Sequence, residues 1–193
     1  MLADDILSRS AAEIVALYRS KRVSPVEVLT ATLDRIDRLD PLYNAFVMID
    51  REGALRDARA SEERWRRGEP NGLVDGLPVT VKDLILVKAM PTRRGSRTTS
   101  PLPSNEDGPP VARMRQQGAV FLGKTTTSEF GWKAVTDSPH RSDSQSLGCA
   151  PNVRWKQWRC RSRGGVGPGN AASGDGRWRL HPRSRELLWS VWF

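Results

Sequence analysis

Cysteine is scarce in this sequence, with two residues in 193, Cys149 and Cys160. Their spacing fits neither a disulfide framework nor a metal site, so both read as incidental thiols that set no redox compartment. Long apolar runs are missing as well, and none approaches the length that spans a bilayer. The opening stretch, MLADDILSRSAAEIVALYRS, is acidic early and amphipathic, the wrong pattern for a secretory signal. No internal repeat is present. These absences lead to the expectation of a soluble, cytoplasmic protein with no membrane partner and enough chain for one domain of ordinary size.

What is present is unevenly distributed. Residues 1–139 hold 21 Lys and Arg against 19 Asp and Glu, whereas residues 140–193 hold 10 against 3, so most of the formal charge of +9 sits in the last quarter. Five of the seven tryptophans, both cysteines and both histidines also lie beyond Pro139. Two unlike compositions share one chain, and the expected division is 1–139 as one folded part and 140–193 as a basic tail.

The first part reads as alternating helices and strands. Ile6, Leu7, Ile14, Val15 and Leu17 lie on one broad helical face, with Ser10 and Glu13 at capping-box spacing and an end near Lys21. Ser24-Pro25 opens a second helix, with Val26, Leu29, Leu33 and Ile36 at helical spacing and a stop at Asp40-Pro41. Tyr43 to Ile49 reads as a short extended segment. Residues 50–67 form a third helix with a charged, solvated outer face, ended by Gly68. LPVTVKDLILVKAM, residues 77–90, is β-branched and apolar, the signature of a buried strand. A long polar loop, PTRRGSRTTSPLPSNEDGPP, precedes a short helix, PVARMRQQG, and a second buried strand, AVFLGK. This order predicts an α/β fold, a mixed sheet covered by helices.

Gly118 to Thr125, GAVFLGKT, satisfies the phosphate-loop pattern. The chemistry of that motif needs a loop between the glycines and a helix beginning at the lysine, so that backbone N–H groups turn toward the phosphates. Here Ala119, Val120, Phe121 and Leu122 read as strand, and TTTSEFGW opens with β-branched residues. Nucleotide binding is therefore not expected.

Taken together, SPVEVLTATLDRIDRLDPLYNAFV, GLPVTVKDL, PTRRGS and PPVARMRQQGAVFLGKTTTSEFGW resemble the N-terminal portion of the amidase signature family in content and order, over residues from about 24 to 139. Members of that family hydrolyse amides or, as amidotransferase subunits, release ammonia from glutamine. The resemblance implies a serine, cis-serine, lysine triad whose lysine matches Lys82, a small-molecule amide substrate, and no metal or organic cofactor. The base must be neutral, since an ammonium has no lone pair with which to take a proton through the bridging serine. Desolvation among strand residues such as Val79, Val81, Leu84 and Ile85 is the expected means.

Both serines of the triad, and the glycines that would hold the oxyanion, belong after Pro139 in the family's order. The text there is RWKQWRCRSRGG instead. Tryptophan has a single codon, so Trp155-Lys156-Gln157-Trp158 is TGG AAR CAR TGG. Read one base later it encodes Gly, then Ser or Asn twice, then Gly, which permits the family's Gly-Ser-Ser-Gly core. The same displacement of DGRWRLHPR permits Thr-Asp-Gly-Gly-Gly-Ser-Ile-Arg, and that of DSQSLGCAPN permits Thr-Arg-Asn-Pro-Trp-Asp. The displaced serines overlap Lys156 and Leu180, 24 positions apart, as the family's two serines are. All three segments agree on one frame, so the basic run is expected to be an out-of-register reading, by a frameshift near residue 140, of a Gly/Ser-rich catalytic loop. The chain as written is then an inactive fragment with Lys82 as its one remaining triad residue. An alternative takes the tail at face value as a nucleic-acid-binding segment, its Arg and Lys on phosphates and Trp on bases. It has no recognisable binding module, however, and a basic run is more often merely solvated. A third reading is a remnant that binds without catalysis.

Overall fold

The computed structural model describes residues 3–132 and residue 138; the basic tail, its alternative readings and the division at residue 140 lie outside the described residues. Helices α1 (Ala3–Leu7), α2 (Ala11–Arg19) and α3 (Pro25–Tyr43) come first, followed by strand β1 (Phe46–Ile49) and helix α4 (Arg51–Arg67). Strand β2 (Pro78–Lys82), helix α5 (Pro109–Gln116) and strand β3 (Val120–Thr125) complete the regular elements among the described residues, with a 3-10 turn at Glu129–Gly131. The strands form one mixed sheet in the order β1-β3-β2, antiparallel between β1 and β3 and parallel between β2 and β3. This is the expected α/β architecture.

Local signals explain most of the boundaries. Ser10 and Ser24 both cap their helices reciprocally with the glutamates three residues on, Glu13 and Glu27. The apolar face from Ile6 to Tyr18 is therefore divided between two helices, because Ser10, as N-cap, holds extended backbone between them. Helix α3 runs on through Pro41 to Tyr43 rather than stopping at Asp40-Pro41. Pro41 gives up one backbone bond, but Asp40 secures the end beyond it. Its carbonyl accepts from Asn44 N at 2.7 Å, and its carboxylate accepts from Ala45 N and Phe46 N at 2.7 and 3.1 Å. Asn44 then takes the left-handed conformation, φ 50°, and releases the chain into β1. Helix α4 starts at the Asp50 cap and ends at Gly68, as expected.

Three apolar clusters hold these elements. Leu29 of α3 and Ala54 and Ala58 of α4 pack on Val120 and Leu122 of β3, on one face of the sheet. Val79, Val81 and Phe121 project from the other face onto Val87, Met90 and Val111. Each such side chain removed from water contributes about 1.5–3 kcal/mol. A third cluster ties α1 and α2 to Trp65 and Leu77. Within it the Tyr18 hydroxyl donates to Gly76 O at 3.1 Å and Trp65 Nε1 donates to Asp75 O at 3.1 Å. The Asp75 carboxylate is itself buried and meets the Arg64 guanidinium at 2.8 and 2.6 Å. No helix among the described residues is long and apolar enough to cross a membrane.

The apolar run 77–90 is only partly strand. Strand β2 ends at Lys82, and the last bond to β3 runs from Asp83 N to Thr125 O; Leu84 N and Ile85 N then turn back to donate to Lys82 O, at 2.7 and 3.1 Å. A continuous apolar run reports burial, and Val87 and Met90 are indeed buried, but they reach the core from a loop.

Candidate functional site at the carboxyl ends of β2 and β3

Parallel strands β2 and β3 end side by side, with Lys82 in register with Thr125 and Val81 with Lys124. Crevices at the carboxyl ends of parallel strands are where open α/β sheets place their ligands. Side chains alternate across a strand, so Val79 and Val81 occupy the core face while Thr80 and the half-buried Lys82 occupy the other. The expected surroundings of Lys82 are thus corrected: Val79 and Val81 flank it along the strand but lie on the opposite side of the sheet. Among the described residues no hydrogen bond or ion pair engages the Lys82 amine.

The lysine that is fully withdrawn from water is Lys124, 1% exposed, on the Val81 face. Its Nζ donates to Ile85 O at 2.7 Å and to Thr92 Oγ1 at 2.8 Å, and lies 3.5 Å from Asp83 Oδ1. Burial pushes its pKa down, against the Asp83 carboxylate, which favours the ammonium. Asp83 is equally buried; its Oδ1 accepts from Arg93 N at 3.1 Å, and its Oδ2 has no partner among the described residues. The lysine of the apparent phosphate loop therefore points into a polar nook of the core. Gly118–Thr125 forms no phosphate cradle, since Val120–Thr125 is strand and no helix begins at Lys124. Gly123 has a packing reason: a Cβ there would collide with the backbone of Met48 and Ile49 in β1.

The polar loop after Pro91 is fastened to the segment that follows β3. Ser96, fully buried, donates from Oγ to Glu129 Oε1 at 2.6 Å, and its Oγ accepts from Thr98 N at 3.2 Å. Thr99 Oγ1 reaches Arg93 O at 2.6 Å, and Phe130 N donates to Arg94 O at 2.8 Å. Gly95, at φ 65°, permits the close approach, since a Cβ would lie 2.9 Å from Thr127 O. This loop is a fastened wall rather than an open connection. Sequence reasoning singled out Lys82, met Lys124 only as the lysine of the rejected phosphate loop, and passed over Asp83, Ser96 and Glu129. A signal for one pair existed: a lysine inside an apolar strand requires a partner, and a buried carboxylate is the usual one.

A family profile for Amidase matches residues 27–152, a range that runs past residue 139, where the resemblance read from the sequence ends. One subunit of the glutamyl-tRNA(Gln) amidotransferase of Salinispora arenicola is 42% identical over 133 residues, covering 69% of this chain and 27% of that protein. An acylamidase of Rhodococcus erythropolis is 37% identical over 129 residues, covering 67% and 27%. Among solved structures, a bacterial aryl acylamidase of the amidase signature enzymes superimposes with a TM-score of 0.62 at 32% identity, covering 69% of this chain and 28% of its own. The chain thus corresponds to about a quarter of the length of the curated relatives it matches. On profile, relatives and fold alike, this chain belongs to the amidase signature family.

Proposed function

We propose that this chain is the base-bearing N-terminal part of an amide hydrolase in which Lys82 is the terminal base of a serine, cis-serine, lysine triad. In the complete machinery the bridging serine passes the nucleophile's proton to the Lys82 amine as the nucleophilic serine attacks the amide carbon; the proton then returns through the bridging serine to the leaving nitrogen, the C–N bond breaks, and the amine or ammonia leaves. Water then hydrolyses the ester. On this reading the substrate is a small-molecule amide, the setting is cytoplasmic, and no metal or organic cofactor takes part. What supports it is one observation: Lys82 stands half-buried at the carboxyl end of β2, with its amine unengaged by any described residue, in a chain whose family motifs follow in order. We further propose that the text from about residue 140 is out of register, so that this polypeptide holds the base and not the nucleophile.

Sequencing the DNA around codon 140 and assaying this chain beside a version with the register restored tests both statements. Hydrolysis of an acylanilide by the restored version alone is expected. Activity of the present chain, or DNA in which no one-base insertion or two-base loss accounts for the change of frame, overturns the proposal. A second reading, as one component of an amidotransferase, is favoured by the 42% identity to a glutamyl-tRNA(Gln) amidotransferase chain. Ammonia release from glutamine by the restored version, with no turnover of acylanilides, would select it.

A further inference from the structure

We infer that Lys124 is a positioning residue for Lys82, which it serves by confining the negative charge of Asp83 to the far face of the sheet. The inference rests on the reading of Lys82 as the base. Such a base must give up its proton readily, and a carboxylate beside it would oppose that by stabilising the ammonium. Asp83 is the very next residue, yet strand alternation turns its side chain to the Val81 face, where Lys124 Nζ lies 3.5 Å from Oδ1. The two formal charges cancel within the core, and Lys82 on the opposite face is spared an uncompensated neighbour. Arg93 adds a backbone N–H to the same Oδ1, while the charge of Arg94 acts on Lys124 against its ammonium form.

The same ammonium also fixes the backbone that carries Lys82. Its bond to Ile85 O closes the turn in which Leu84 N and Ile85 N donate to Lys82 O, and Asp83 N is held by Thr125 O at 3.0 Å. Three acceptors surround the three ammonium hydrogens: Ile85 O, Thr92 Oγ1 and Asp83 Oδ1. A methionine would fill the same volume, and buried ion pairs replaced by apolar residues of similar size are often no less stable. Packing alone therefore does not call for a lysine here. Disposing of the Asp83 charge and pinning the turn does.

The test reads the charge of Lys82 in the full chain without needing catalysis. Acetylation by an N-hydroxysuccinimide ester at pH 8 is followed by peptide mass spectrometry, with the rate at Lys82 normalised to that at Lys21, an exposed lysine between α2 and α3. Lys124→Met should slow Lys82 labelling about threefold, Asp83→Asn should speed it by a similar factor, and the double variant should return to the parent rate. Opposite signs with mutual cancellation are the mark of charge. Two single variants that move the rate in the same direction, as general loosening would make them, overturn the inference, and so do rates that do not move. Should circular dichroism show Lys124→Met unfolded, Asp83→Asn and the double variant still decide: the first must label faster than the parent and the second must revert. Failure of the underlying reading shows elsewhere, as unchanged amide hydrolysis by a register-restored Lys82→Ala protein.

Discussion

At the scale of single residues the chemistry separates two lysines that composition treats alike. Lys82 keeps one side toward water and has no described partner, whereas Lys124 is enclosed by acceptors. In a register-restored protein Lys82→Ala is expected to lower kcat/KM by about a thousandfold or more, with the unfolding midpoint little changed, as steady-state kinetics and thermal melts would show. Arg64 offers a stability counterpart. Burial, the largest single influence, would raise the Asp75 carboxyl, but the Arg64 guanidinium together with further hydrogen bonds, that from Asn71 N among them, holds the pKa below the usual carboxylate range. A depressed folded-state pKa means that this contribution is present above the ordinary carboxylate pKa and is lost as pH falls through the folded-state value. Arg64→Ala, which strands a fully buried carboxylate, should cost about 3 kcal/mol at pH 7 and less in acid; urea titrations at pH 7 and pH 3 check this. The family motifs made Lys82 legible, because its identity travels with its neighbours in the chain. The Lys124–Asp83 pair was not, because its geometry depends on Ile85, Thr92 and Arg93 folding back over both residues.

At the scale of elements, caps and close approaches set the boundaries. Ser24 accepts from Glu27 N at 3.2 Å while the Glu27 carboxylate accepts from Ser24 N at 2.7 Å, and both signals stand within four letters of the sequence. Ser24→Ala should therefore cost about 1 kcal/mol, read as a lowered urea midpoint with an unchanged slope. Gly123→Ala drives a methyl group into the β1 backbone, so β1 and β3 must part; a loss of about 1–3 kcal/mol and faster amide exchange at Asp50 N, which donates to Leu122 O, are expected. Element ends were less legible than element types. Helix α3 outruns Pro41 because Asp40 secures its end through Asn44, Ala45 and Phe46, and β2 ends at Lys82 although apolar letters continue. In both places the deciding partners lie across a turn.

At the scale of the whole molecule, β1 and β2 are the two outer strands of the described sheet, and the chain spans about a quarter of its curated relatives. An outer strand with unpaired N–H and C=O groups invites pairing with another chain. Sedimentation velocity should accordingly show concentration-dependent association of this chain, diminished once the register is restored. The helix caps, the family and the candidate base could all be read from the amino-acid order, since each is written in residues a few positions apart. Which lysine is withdrawn from water, and on which face each carboxylate discharges, emerged only when the chain was folded. Burial and pairing are sums over neighbours brought together from residues 81 to 128, and no local pattern contains that sum.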